Sequence, residues 1–218
     1  MPIRLDQRLT AIANLVDYGK VADVGCDHGK LGYYLVSTDR ASEVIATDIS
    51  KPSLDKAKEL AFENGVADVM QTRLCDGLGA VDGEEVDTVI IAGLGGDVIS
   101  GIMQRAREDG KTFPSFILSP NTHPEKVRRE IVLSKHAIVF DEMLECAGKT
   151  YTIIKTKKGE SMLDDMQLAF GAFYKTSDNF EHFAKKELRS LENILSKNPE
   201  AQLQGKIDLI KSALGDRI

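Results

Sequence analysis

The chain predicts an α/β fold: a seven-stranded, mostly parallel sheet with helices on both faces, followed by a C-terminal α-helical hairpin. Three observations predict it. Five apolar runs of strand length (21–24, 44–47, 69–74, 86–92 and 116–118) alternate with segments of helical periodicity, as a parallel sheet requires. Two further runs, 137–140 and 151–154, have no helical pattern between them and read as an antiparallel hairpin closing the sheet. Beyond Gly159, apolar residues recur only at 3–4 spacing.

Taken in order, Leu5, Leu9, Ile12, Ala13 and Val16 share one helical face, with Arg4 and Arg8 on another. Helical patterns follow over 31–38, 53–64, 96–108 and 125–134. Ser50-Lys51-Pro52 supplies a helix start, as does Thr122-His123-Pro124-Glu125, and Asn64-Gly65 a helix stop. In the C-terminal part, Phe180, Phe183, Ala184, Leu188, Leu191, Ile194 and Leu195 form one stripe. Leu203, Ile207, Ile210 and Leu214 form a second, after Asn198-Pro199. The expected division is residues 1–158 and 159–218.

At 218 residues the chain suits one sizeable domain with a small appendage. It has no apolar run approaching the ~20 residues of a membrane span, and its N-terminus lacks a signal-peptide core. Cys26, Cys75 and Cys146 show no C-x-x-C spacing. The expectation is a cytoplasmic protein with no metal site and no membrane partner. The net charge of −6 argues against a global electrostatic grip on nucleic acid, and residues 157–218 are charge-balanced, 10 basic against 10 acidic. Any phosphate-binding surface must be local. Arg4, Arg8, Lys126, Arg128 and Arg129 are its candidates, a solvated helix face being the plainer reading.

Residues Val21 to Gly29 read V-A-D-V-G-C-D-H-G, a strand running into a glycine turn and a helix. Asp48 closes the next strand at the distance of a ribose-binding acid. Yet the loop is not G-x-G-x-x-G. Asp27 stands where a pyrophosphate would need glycine, and a carboxylate there suits a cationic ligand without phosphate. S-adenosylmethionine (SAM) is such a ligand. The candidate cofactor set is Asp23, Gly25, Cys26, Asp27, His28, Gly29, Asp48, Ile49, Asp76, Gly77, Ala92 and Gly93. Read plainly, Asp48 is a helix cap, Asp76-Gly77 a turn, and Gly93, Gly95 and Gly96 tight packing. The fourth strand does not continue into N-P-P-Y or D-P-P-Y. After the fifth, Pro120 and Asn121 are candidates for orienting a base, the amide carrying both donor and acceptor. His28 alone among the histidines has a suggestive address.

In this order, Gly25 to His28, Asp48, Asp76-Gly77, Ala92 to Gly96 and Pro120 to His123 resemble the bacterial tRNA (adenine-22-N1)-methyltransferase family. The resemblance covers essentially the whole chain; Cys26 stands where relatives carry serine. It implies a class I, Rossmann-like methyltransferase with a C-terminal coiled coil, acting on N1 of adenine 22 in tRNA; the oligomeric state is not readable from the sequence, a monomer being the expectation. Adenine N1 is a neutral lone-pair nucleophile, so no proton need be removed. The residues expected to act are Asp27, beside the sulfonium and steadied by His28, with Asn121 and Pro120 at the base. A methyltransferase for protein or small molecules and an inactive RNA-binding module of the same fold are the alternatives.

Overall fold

The computed structural model describes residues 3–199 and 203–215. The elements are α1 (Gln7–Asn14), β1 (Lys20–Val24), α2 (Lys30–Ser37), β2 (Glu43–Asp48), α3 (Lys51–Glu63), β3 (Met70–Leu74), β4 (Thr88–Ala92), α4 (Gly96–Glu108), β5 (Phe116–Ser119), α5 (Pro124–Leu133), β6 (His136–Cys146), β7 (Lys149–Lys158), α6 (Asp165–Phe170), α7 (Phe180–Lys197) and α8 (Gln204–Gly215). The strands form one sheet in the order β3-β2-β1-β4-β5-β7-β6. β1 to β5 are parallel, and β7 is antiparallel to both β5 and β6.

The inner strands are mostly apolar because both of their faces are covered, Asp23 of β1 being a buried exception. Ala22, Val24, Val89, Ile91 and Leu118 pack with α4 and α5 through Ile99, Ile102, Met103, Val127 and Ile131. Their alternates Val21, Val44, Ala46, Ile90 and Ile117 pack with α1, α2 and α3 through Ile12, Leu31, Leu35, Leu54 and Ala57. Ser50 caps α3 with Pro52 in its first turn, as the sequence signals. No helix joins β3 to β4. Arg73 grips Glu85 through two 2.9 Å hydrogen bonds, and Lys111 donates to the carbonyls of Leu78, Gly79 and Val81, which holds that turn-rich crossover in place.

The closing hairpin is far longer than its apolar runs suggest. β6 and β7 pair from His136↔Lys158 to Cys146↔Lys149, leaving Ala147 and Gly148 as a two-residue turn, both with positive φ. That is the backbone twist a tight hairpin favours. Acidic residues inside β6 disguise it in the sequence. Asp141 is one, and its partner corrects an expectation: Arg128 is not a surface phosphate contact. Its guanidinium is buried and forks onto Asp141 at 2.8 and 3.0 Å, while a third nitrogen donates to the Leu168 carbonyl at 2.9 Å. The pair locks α5 to β6 and to α6, a helix that periodicity missed because it is a single capped turn and a half. After α6, Tyr174, Phe180, Ala184, Leu191, Ile207, Ile210 and Ala213 form a third apolar cluster, with Met143 of β6 packed against it.

Candidate active site

The sheet order reverses between β1 and β4, so ligands belong in the crevice beyond the C-terminal ends of these strands. The registers Val24↔Thr47, Val24↔Ile91 and Asp48↔Leu74 end β1 to β4 nearly level. A cavity of about 560 Å³ opens there, within the range of small-molecule sites. Asp23, Gly25, Cys26, Asp27, His28, Asp48, Ile49, Asp76, Gly77, Ala92 and Gly93 all line it. Gly29 does not. Its φ of 70° and the absence of a side chain let α2 start against Ala57 and Met70, which a Cβ would meet at 2.7 Å.

The β1–α2 loop is held by Asp48. Its carboxylate accepts from the Asp27 amide at 3.0 Å and the Ser50 amide at 2.8 Å, tying the first two loops together and leaving further lone pairs toward the cavity. Asp27 adopts a left-handed conformation, φ 51°, with its side chain largely exposed at the mouth. His28 Nε2 lies 3.4 Å from Asp27 Oδ1 and 3.1 Å from Lys56 Nζ. Asp76 is drawn to Arg105 at 3.0 Å.

Two polar atoms in the cavity wall are buried and have no protein partner among the described residues: Asp23 Oδ2 and an Arg8 guanidinium nitrogen. Such groups are costly unless a ligand or solvent meets them. Burial pushes the Asp23 carboxyl up to about 7, the nearby Asp48 adding to the rise against a hydrogen bond from the Gly32 amide. Burial and the same carboxylates hold the Cys26 thiol protonated, so it serves as a small turn residue. Arg8 stacks over Tyr151 of β7, 5.2 Å to the ring centroid, and faces Gly93. Sequence reading missed Tyr151: only the antiparallel return of β7 brings it to this end of the sheet.

The loops after β4 and β5 form one rigid unit. Gly93 N–H donates to Ser119 O, Asn121 N–H to Leu94 O at 2.8 Å, and Gly96 N–H to Thr122 O at 2.8 Å. A Cβ on Gly96 would lie 2.3–2.4 Å from the carbonyl oxygens of Thr122 and His123, which explains the second glycine of the pair. The Asn121 side-chain nitrogen donates to Gly93 O at 2.6 Å, while Pro120 is buried beneath it. Neither lines the cavity itself; both stand at its β4–β5 lip. Of the proposed phosphate contacts, Arg4 and Arg129 are exposed and make no ion pair among the described residues, and Lys126 pairs with Asp97. Among the described residues no three His, Cys, Asp or Glu side chains group as a metal site, and no helix is long and apolar enough to cross a membrane.

This fold, with its acid-lined cavity at the β1/β4 reversal, is that of the methyltransferase domain, whose family profile matches residues 5–154. The chain is 30% identical over 172 residues to the tRNA (adenine(22)-N(1))-methyltransferase of Bacillus subtilis, covering 78% of this chain and 72% of that one. A Streptococcus pneumoniae protein solved with S-adenosyl-L-methionine superimposes with a TM-score of 0.87 at 29% identity, over 97% of this chain and 100% of the other. The crystal structure of the Bacillus subtilis M1A22 tRNA methyltransferase superimposes with a TM-score of 0.85 at 25% identity, over 97% and 99%. The chain belongs to the tRNA (adenine(22)-N(1))-methyltransferase family.

Proposed function

We propose that this protein transfers a methyl group from SAM to N1 of adenine 22 in tRNA, in the cytoplasm. The observation that carries the donor half is the pair of buried atoms without a protein partner among the described residues, Asp23 Oδ2 and one Arg8 nitrogen, in one cavity with Asp48 and Asp76. A zwitterionic, cationic, phosphate-free ligand answers all four; a dinucleotide pyrophosphate would face Asp23 and Asp27. The family supplies the acceptor half.

SAM, when bound, supplies an electrophilic methyl on a cationic sulfur. The chain's own residues do the rest. Asp48 accepts ribose hydroxyls, and Arg8 takes the amino-acid carboxylate, a role its buried nitrogen fits better than a phosphate contact at the surface. Asp76 meets the adenine amine, with Ile49 and Val98 flanking the mouth. Asp23, once ionised, adds negative potential deep in the cavity, where low dielectric magnifies it. Asp27 adds less, because solvent screens its exposed carboxylate. Pro120 and Asn121 form the base side, and Arg4, Lys126 and Arg129 contact phosphates. No general base is needed, since N1 attacks through its lone pair, and catalysis reduces to alignment and charge. N1 lies on the pairing edge, so a paired adenine must leave its helix first.

Incubation with labelled SAM and unmodified tRNA, followed by mapping of the modified base, tests the reading. Calorimetry should give micromolar SAM affinity, about −8 kcal/mol, with no NAD binding. Label in another nucleotide, or none in tRNA, would overturn it.

A further inference from the structure

The side-chain amide of Asn121 is fixed in one orientation by the loop it bridges. Its nitrogen lies 2.6 Å from Gly93 O, a carbonyl that can only accept, so the NH₂ must face that way. Its own backbone N–H is bound to Leu94 O, which prevents the residue from turning around. The amide therefore presents its oxygen outward, an acceptor with no protein partner among the described residues. Gly93, to which it is pinned, lines the cavity.

Resting on the tRNA reading above, we propose that Asn121 Oδ1 is the specificity element for the target base, accepting a hydrogen bond from the exocyclic N6 amine of adenine. Adenine carries that donor one bond away from N1, so anchoring N6 sets N1 beside the reaction axis with its lone pair free. Guanine offers O6 at the same place, acceptor against acceptor, and a protonated N1. Cytosine shares the donor–acceptor pair of adenine, so this contact reads the edge and not the ring size.

The test uses full-length enzyme and tRNA carrying adenine or purine, which lacks only the amine, at the target position. Purine is intrinsically the poorer nucleophile, so the informative quantity is the adenine-to-purine ratio of kcat/KM in wild type against that in Asn121→Ala. The ratio should fall about tenfold in the variant, the size of one neutral hydrogen bond at a partly exposed site. Asn121→Leu, which keeps the volume, should lower it likewise, and so should Asn121→Asp, which keeps an acceptor but loses the donor that pins the side chain to Gly93 O. The same preference should appear in tRNA affinity measured with S-adenosylhomocysteine, a readout that survives loss of turnover. A merely structural Asn121 would depress both substrates equally. An unchanged ratio in Ala and Leu variants that bind S-adenosylhomocysteine normally would overturn the assignment while leaving the tRNA reading intact. Failure of the wild type to methylate adenine-bearing tRNA would remove both.

Discussion

At the residue scale, the site is a short list of charges with unequal burial, and Asp23 is the most consequential. Burial raises its carboxyl from the ordinary aspartate range near 4 to about 7 in the folded protein. Between those limits the folded state holds a proton that the unfolded state has released. Stability from this group therefore falls as pH rises from about 4 to 7, by at most about 4 kcal/mol. A cationic ligand reverses the preference. SAM should favour the ionised form, so its affinity should rise about tenfold from pH 6 to pH 8 and then level. Asp23→Asn should flatten that profile and make the unliganded protein more stable, most clearly above pH 7. The variant leaves every other charged group at the cavity in place, so the difference between the two profiles isolates Asp23. Calorimetric Kd values that follow pH equally in both proteins would assign the dependence elsewhere. The cavity residues on the first four strands are readable in the sequence because each sits at the end of its own apolar run. Arg8 and Tyr151 are not, since their stacking needs a helix near the N-terminus and a strand 143 positions later to meet across the sheet.

At the scale of elements, the strands buried on both faces were legible as continuous apolar runs, whereas the closing hairpin was not. Asp141, Glu142 and Glu145 break the pattern of β6, and nothing local signals that Asp141 is neutralised by a residue on the preceding helix. Read by spacing alone, Arg128 joins Lys126 and Arg129 as a basic cluster; folding turns it inward and leaves its neighbours outside. This separates two arginines one residue apart. Arg128→Met should destabilise the protein by about 3–5 kcal/mol, because it strands the Asp141 carboxylate in the interior. Replacing Asp141 with leucine as well should recover much of that loss. Arg129→Ala should leave stability nearly unchanged and reduce the salt dependence of tRNA binding by about one phosphate contact. Urea unfolding and salt-titrated binding read these directly. A fully stable Arg128→Met single variant would mean that the buried pair contributes nothing to the fold.

At the scale of the whole molecule, the segment after β7 is two things in series. Leu163 and Ala172 pack against the core beside α4 and α5, and Arg128 and Asp141 bond to the backbone of Leu168 and Ala172. From α6 onward apolar residues also turn to one another: Met166, Phe170 and Tyr174 pack with Phe180 and with α7 and α8, which are crossed by Lys206–Glu187 and Lys211–Glu192 pairs on their surface. We propose that the structural boundary lies later than the change of sequence character at Gly159 suggests. A chain ending at residue 159 should lose the cover over Arg128 and Asp141, leaving a buried pair half-satisfied and an apolar face open, and should aggregate or melt well below the full-length protein. A chain ending at residue 176 keeps those contacts and gives up only the α7–α8 cover on Phe170, Tyr174 and Met143, a smaller apolar face. It should remain folded and bind SAM within about threefold of the full-length affinity, since every cavity-lining residue precedes Phe113. Methylation of tRNA should suffer mainly through KM, because what is removed is a helical hairpin that lines no part of the cavity. Its lysines already answer neighbouring acids: Lys185 pairs with Glu181 and Lys186 with Glu145. Its contribution to capture is therefore expected from shape and a few remaining cations, and the salt slope should fall by roughly one or two contacts, not many. Equal thermal stability of the two truncations would place the structural boundary at Gly159 after all, and an unchanged KM for tRNA in the longer one would confine substrate capture to the methyltransferase domain.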